Sequence, residues 1–354
     1  MTSRRVLLTA AAGIAAAAAL PVTGVAALPG TLARRREPVA GGTQVARTPF
    51  ALSHLVVAWN GAGRPAIRTR SGSGWSDWAP VRVGHHGRAD SAAGRRSALV
   101  TVPDGEGYEV DCCGEARDLS VTELNTATGR GAARQRPGGT ELRIAGRSAP
   151  VRYLDRVAWG ADKAVRGAAP WPPRYAPVQT LTVHYTAGAN DDPDPAATVR
   201  AIHYYDAVTR GWGDMGYNLL IDEAGTVYEG RRSGTRAPLL GPAAGNGRPQ
   251  MVTGAHVTDH NRGNAGVVLL GDFADRLPTP AAREALTEVL ALLAGVANLN
   301  PLGSTTYADP SLSVTRKVST IAGHRDYAPT DCPGGAYYLQ LPALRKDVAR
   351  LLHG

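Results

Sequence analysis

The sequence predicts an α/β protein: a C-terminal domain built on a mixed central β-sheet flanked by helices, preceded by a small all-β domain. Three observations predict this. Beyond residue 150, strand-like alternation is interleaved with helix-like periodicity, the pattern of a layered α/β domain. Between Phe50 and Leu124, short alternating segments are separated by Gly, Pro and Ser clusters, the rhythm of an all-β module. The chain has 354 residues, more than one domain of roughly 100–200 residues requires.

Composition narrows the class further. Hydrophobic residues make up 43% of the chain and charged residues 19%, enough apolar side chains to build cores, so wholesale disorder is excluded. The 42 Gly and 25 Pro follow no fixed period and no heptad run occurs, which excludes collagen and coiled coil and points to short elements with many turns. A net charge of +9 raises nucleic-acid binding as a possibility. The arginines are dispersed and no nucleic-acid motif is present, so no nucleic-acid partner is expected.

The first 27 residues read as an address. Ser3-Arg4-Arg5 leads into an Ala-rich apolar run to Leu20, followed by Pro21 and the small residues Val25-Ala26-Ala27. That order marks a secretory signal peptide, and the paired arginines fit the twin-arginine route. A secreted, extracellular chain beginning near Leu28 is expected. No later segment is apolar enough for a transmembrane anchor.

Residues 28–49 are expected as a linker, 50–125 as the β-rich domain, 126–150 as a Gly/Arg/Pro-rich linker, and 151–354 as the α/β domain. Expected strands in the first domain cover His54 to Trp59, Ala66 to Arg70, Ala98 to Val102, Tyr108 to Val110 and Leu119 to Leu124. The cluster Gly74-Trp75-Ser76-Asp77-Trp78 reads as aromatic core packing at a turn, with a ligand platform as the second reading. Export favours a disulfide between adjacent Cys112 and Cys113, which leaves Cys332 as an odd thiol needing a metal or a reactive role.

In the second domain, Val178 to Tyr185 alternates as a strand, and Asp194-Pro195 caps and opens a helix through Ile202. Tyr217 to Ile221 and Thr226 to Tyr228 flank a hairpin turn at Glu223-Ala224-Gly225, and Ala265 to Leu270 is an apolar strand. Thr279-Pro280 opens a helix carrying Leu286, Val289, Leu290 and Leu293, and a last helix carries Leu344, Val348, Leu351 and Leu352.

The chemistry concentrates in Gly323-His324-Arg325-Asp326 through Cys332-Pro333-Gly334. A His and a Cys eight positions apart, across a loop stiffened by Pro329 and Pro333, can converge on one ion, and imidazole with thiolate suits zinc. A catalytic zinc takes three protein ligands, and His184 at the end of a strand is a physically suitable third. On spacing alone two other readings stand: His324 paired with Asp326, and Cys332 bonded to Cys112 or Cys113.

Across residues 152–352 seven motifs occur in order: Val157-Ala158-Trp159-Gly160-Ala161; Val183-His184-Tyr185-Thr186-Ala187-Gly188; Gly211-Trp212-Gly213-Asp214-Met215-Gly216-Tyr217-Asn218; Gly225-Thr226-Val227-Tyr228-Glu229-Gly230-Arg231; Gly254-Ala255-His256; Gly266 to Phe273; and the block around His324 and Cys332. In these the chain resembles the peptidoglycan recognition proteins and the related zinc-dependent type-two N-acetylmuramoyl-L-alanine amidases.

The resemblance implies zinc as cofactor, held by His184, His324 and Cys332, with Tyr217 and Thr330 in the active site. It implies hydrolysis of the amide between the lactyl group of N-acetylmuramic acid and L-alanine of peptidoglycan. Some relatives bind peptidoglycan without cutting it, commonly through loss of the cysteine; Cys332 is present, which favours the enzyme over a non-catalytic recognition module. Tyr217 is expected to share proton transfer with the activated water, because threonine is no base near neutral pH.

His256 and Asn261 match positions that hold the muramyl peptide in relatives. His203 lies one turn before the usual cleft histidine, whose place Asp206 takes, and is read equally as a helix-face residue. Arg232-Ser233 stands where relatives selecting diaminopimelate stems often have Gly-Trp. The expected partner is peptidoglycan, with the positive charge suited to anionic cell-wall polymers. The pair His85-His86, His260 and His353 are read as surface or structural.

Overall fold

The computed structural model describes residues 32–36, 44–72, 74–83, 94–111, 115–127, 140–162, 165 and 171–353. The expected signal peptide, Cys112, Cys113 and the pair His85-His86 lie outside the described residues.

The N-terminal domain is an antiparallel sheet. Its strands are β1 (Leu32–Arg36), β2 (Gln44–Asn60), β3 (Ala66–Ser71), β4 (Gly74–Trp75), β5 (Ala79–Pro80), β6 (Arg95–Asp111) and β7 (Arg117–Asn125), in the order β1-β7-β2-β6-β3-β4 with β5 on β3. Alternation along β2, β3 and β6 sends Leu55, Val57, Trp59, Ile67, Tyr108 and Val110 into one core. The two segments expected at Ala98 to Val102 and Tyr108 to Val110 belong to one 17-residue strand.

Two expectations are corrected here. Residues 28–49 are not all linker: β1 pairs antiparallel with β7, Leu32 opposite Asn125, and β2 begins at Gln44. That pairing spans about ninety residues and leaves no local pattern. Nor are Trp75 and Trp78 core residues; they are 38% and 42% exposed, because β4 and β5 are two-residue strands hung on the outer edge strand.

The C-terminal domain supplies β8 (Thr140–Ile144), β9 (Arg147–Leu154), β10 (Tyr175–Pro177), β11 (Thr180–Tyr185), α1 (Pro195–Tyr204), β12 (Leu219–Ile221), β13 (Val227–Glu229), β14 (Gln250–Val252), β15 (Asn264–Leu269), α2 (Pro280–Ala297), β16 (Ser304–Asp309), β17 (Val314–Ser319), β18 (Ile321–Gly323), α3 (Gly335–Tyr338) and α4 (Leu341–His353). Its central sheet runs β18-β11-β15-β12-β13-β9-β8 and is mixed: β11 is parallel to β15 and β18, whereas β12 and β13 form an antiparallel hairpin. The 126–150 segment is likewise not all linker. Its hairpin β8-β9 turns at Ala145 and Gly146, both at positive φ (48° and 77°), and buries Leu142, Ile144 and Ala149.

Helices cover both faces of this sheet. α2 packs Leu286, Val289, Leu290 and Leu293 on Leu181, Val183, Leu219, Ile221, Val267 and Leu269. α1 packs Val199 and Ile202 on Leu220 and Val268 of the opposite face. Both begin as the sequence indicates: Asp194 accepts from the Ala197 amide and Thr279 from the Ala282 amide. α1 continues into a π-helical turn, Tyr205–Thr209.

The N-terminal sheet docks on α1. Val56 and Leu124 meet Ala201 and Tyr205 in a small apolar cluster. Around it lie buried polar contacts: His54 Nε2 to Thr198 Oγ1 at 3.0 Å, and the Thr126 hydroxyl to Ala197 O at 2.8 Å. Arg200 Nε donates to Thr126 O at 2.6 Å. Among the described residues, no helix is long and apolar enough to cross a membrane.

Candidate metal centre

Three elements bring the candidate ligands together. His184 is the fifth residue of β11, opposite Val268 of β15 in the interior of the sheet. His324 opens a 3-10 turn directly after β18, the strand beside β11. Cys332 lies in the following loop, its sulfur 3.4 Å from the Tyr185 amide. The ligand atoms of these three residues all lie within 4.8 Å of one another, and Cys332 Sγ is 3.5 Å from His184 Nδ1. Tetrahedral zinc, with bonds of about 2.0 Å to nitrogen and 2.3 Å to sulfur, separates an N,S pair by about 3.5 Å.

The hydrogen bonds around His184 assign its tautomer. Asn264 O can only accept, so His256 Nε2, 3.0 Å away, carries the proton. His256 Nδ1 is then an acceptor, and His184 Nε2, 3.0 Å from it, is the donor. The lone pair of His184 is thereby left on Nδ1, the atom facing Cys332. Burial holds His256 neutral, its pKa lowered to about 4. This is the arrangement of a metal-binding histidine oriented through its second nitrogen. Burial also pushes the Cys332 thiol well above its ordinary value, so the sulfur needs an adjacent cation to ionise near neutral pH.

Among the described residues no disulfide involves Cys332, and Asp326 has partners of its own. The Asp326 carboxylate is taken by the Gly323 amide at 2.8 Å and by the Tyr338 hydroxyl, which fixes the turn carrying His324. Cys332 is a free, buried thiol.

Tyr217 and Thr330 sit beside the triad. The Tyr217 ring lies edge-on to His184, centroids 5.3 Å apart, and burial keeps its hydroxyl protonated by raising its pKa well above the ordinary value. Thr330 is half-buried, and its Oγ1 accepts from the Cys332 amide at 3.2 Å.

The expected substrate contacts are placed differently. His256 is fully buried, occupied by His184 and Asn264 rather than lining an open cleft. Asn261 spends its Oδ1 on the amides of His256 (2.7 Å) and Val257 (2.9 Å), shaping the loop that carries the histidine. His203 has its contacts elsewhere than the three candidate ligands. It packs edge-on to Trp159 and joins a buried cluster in which Asp214 meets Arg156 at 3.0 Å and Arg231 at 2.8 Å. We read His203 as neutral, with Nε2 accepting from Arg156 at 3.1 Å, because burial lowers its pKa and the same nitrogen cannot also donate to Asp214. This cluster lines a cavity of about 820 Å³ together with Trp171, whose ring lies 3.6 Å from the Arg231 guanidinium carbon.

Two roles escaped the sequence reading. Gly266 makes the slot for His256: a Cβ there would fall 2.5 Å from the imidazole, and a glycine inside an otherwise apolar strand was the available signal. Asp206 lies in the π turn, fully buried, with Oδ2 accepting from the Gly216 amide at 2.9 Å just before Tyr217. Burial raises its pKa to about 7.

The N-acetylmuramoyl-L-alanine amidase family pattern matches residues 174–335. The human N-acetylmuramoyl-L-alanine amidase is 31% identical over 180 residues, 49% of this chain and 26% of that protein, so the chain spans about a quarter of that relative's length. Peptidoglycan recognition protein 1 of Bos taurus is 30% identical over 164 residues, 46% of this chain and 70% of that protein. Among solved structures, Drosophila PGRP-LB aligns with 25% sequence identity over 54% of this chain and 92% of that chain, with a TM-score of 0.39.

Proposed function

This chain belongs to the peptidoglycan recognition protein and N-acetylmuramoyl-L-alanine amidase family, and from that premise we propose that it is a zinc-dependent amidase cutting between the lactyl group of N-acetylmuramic acid and L-alanine of peptidoglycan. The observation that carries this reading is the relay from Asn264 O through His256 to His184, which turns a lone pair toward Cys332 Sγ at 3.5 Å. Two imidazoles and one thiol fit zinc and leave a fourth position for substrate or water. A recognition-only role is disfavoured because all three donors are present and converge.

Bound zinc would polarise the scissile carbonyl and bring a water toward ionisation near neutral pH. The protein supplies the rest. Tyr217, kept protonated by burial, donates to the oxygen on which negative charge develops and holds the proton the leaving amine requires. Thr330, anchored by the Cys332 amide, presents its hydroxyl as a second donor. His256 keeps the His184 ring in the tautomer and orientation described above.

An extracytoplasmic location follows the same reading, since the substrate lies outside the membrane and residues 1–27 resemble an export signal. The net charge of +9 would favour approach to an anionic wall. The test is to incubate the protein with purified muropeptides, with and without a chelator. Free stem peptides beginning with L-alanine, lost on chelation and restored by zinc, are expected. Release of sugars with the stem peptide still attached would overturn the assignment.

A further inference from the structure

The outer face of the N-terminal sheet carries an arrangement that the amidase chemistry does not use. Along β3, Ile67 points into the core while Arg68 and Arg70 point out. Arg68 stands opposite Glu109 of β6 and donates to it from Nε at 2.5 Å, and Arg70 lies 3.9 Å from Glu106. The Arg68 guanidinium carbon is 5.0 Å from the ring centroids of both Trp75 and Trp78. With that guanidinium beside both rings, the two tryptophans remain 38% and 42% exposed.

Hydrogen bonds brace the segment that carries the two rings. Ser76 N donates to Thr69 O at 2.8 Å, Thr69 N donates to Ser76 Oγ at 3.0 Å, and Val81 N donates to Pro65 O at 2.8 Å. Two large exposed aromatics on a braced turn are unusual on a soluble face and mark a contact surface. The rings are held before binding, which lowers the entropy cost of association.

Charge selects the occupant. The chain carries +9, yet on this face Arg68 and Arg70 are matched by Glu109 and Glu106, and Asp77 adds a negative charge between the two tryptophans in sequence. An anionic polymer gains nothing from such a surface. A neutral polyhydroxyl chain does: its C–H faces stack on indole, and paired charged donors and acceptors satisfy its hydroxyl and amide groups.

We propose that Trp75, Trp78 and Arg68, the last held in place by the buried Glu109, form a binding platform for a neutral N-acetylhexosamine chain, giving the N-terminal domain a glycan-holding role separate from the metal centre. The choice of amino sugar rests on the amidase reading; the platform itself does not.

The test uses the full-length chain and insoluble chitin strands, neutral chains of N-acetylglucosamine with neither stem peptides nor the lactyl carboxylates that stripped peptidoglycan would expose, so that nothing is offered to the amide-cutting site. Wild type is expected to co-sediment with the strands, to change its tryptophan fluorescence with N-acetylglucosamine oligomers, and to keep binding at about 0.5 M salt, where the screening length is only a few ångströms. Trp75→Ala and Trp78→Ala should each weaken binding by about tenfold or more, as loss of a central aromatic anchor does. Trp75→Phe should retain part of the binding. Both alanine variants should cut soluble muropeptides at the wild-type rate while clearing insoluble sacculi more slowly. The proposal is overturned if wild type ignores peptide-free glycan, if the alanine variants bind it equally well, if salt abolishes binding, or if the substitutions change only self-association. Loss of muropeptide cleavage with glycan binding intact would count against the amidase reading alone.

Discussion

Ser97 of the N-terminal sheet and Tyr205 of the π turn share a buried hydrogen bond of 2.7 Å, tying one domain to the segment that leads toward Tyr217 of the other. The next residue, Asp206, accepts from the Gly216 amide beside Tyr217. Removing the hydroxyl with Tyr205→Phe leaves a buried serine short of a partner. A loss of about 1–2 kcal/mol is expected, read as a lower urea midpoint at unchanged slope. Ser97→Ala in the same background should add little, as pairing residues are not additive. Additive losses would show that the two groups act separately.

The docking surface should also respond to acid. Burial, then the charge of Arg200, lowers the His54 pKa from 6.5 to about 3, and its ring nitrogens are engaged by Ser53 and Thr198. A histidine held below its unfolded value is kept neutral by the fold. Its contribution is complete above about 6.5 and is lost as the pH falls toward about 3. Thermal unfolding of wild type should therefore weaken through that window. His54→Gln should flatten the dependence; an unchanged profile would remove His54 as its source.

Asp206 carries the opposite sign. Its folded value, about 7, lies above its unfolded 3.8, so its contribution is present below 3.8 and is lost as the pH rises to about 7. Asp206→Asn keeps an oxygen for the Gly216 amide and removes the titration. The stability of this variant relative to wild type should rise between pH 4 and 7 and then level off (the approximate range set by those two values). A constant difference across that range would contradict a raised carboxyl.

Tyr217→Phe separates catalysis from metal binding. The ring still packs against His184, so zinc content should match wild type. Turnover of muropeptide should fall by about 10²–10³, the usual loss of one oxyanion donor, with KM little changed. Full turnover with zinc bound would remove Tyr217 from the chemistry.

Much of the α/β domain was legible because local rules and tertiary packing agree there. Asp194-Pro195 and Thr279-Pro280 cap α1 and α2 as written, and the leucine periodicity of α2 is its buried face. The hidden strands were those whose partners lie far away: β1 waits for β7, and β8 shows only Leu142 and Ile144 among polar residues. At the site, the ligand types at positions 184, 324 and 332 could be read from chemistry, since few residues bind zinc. The role of His256 could not. It depends on which atoms lie on either side of one ring, a fact of packing that no spacing in the chain records.

The most direct test of the metal centre is zinc-edge X-ray absorption of the full-length protein loaded with one equivalent of zinc. One sulfur at about 2.3 Å and two imidazole nitrogens at about 2.0–2.1 Å are expected, with the sulfur shell gone in Cys332→Ser. A zinc shell without sulfur, or one unchanged by that substitution, would contradict an ion held by His184, His324 and Cys332.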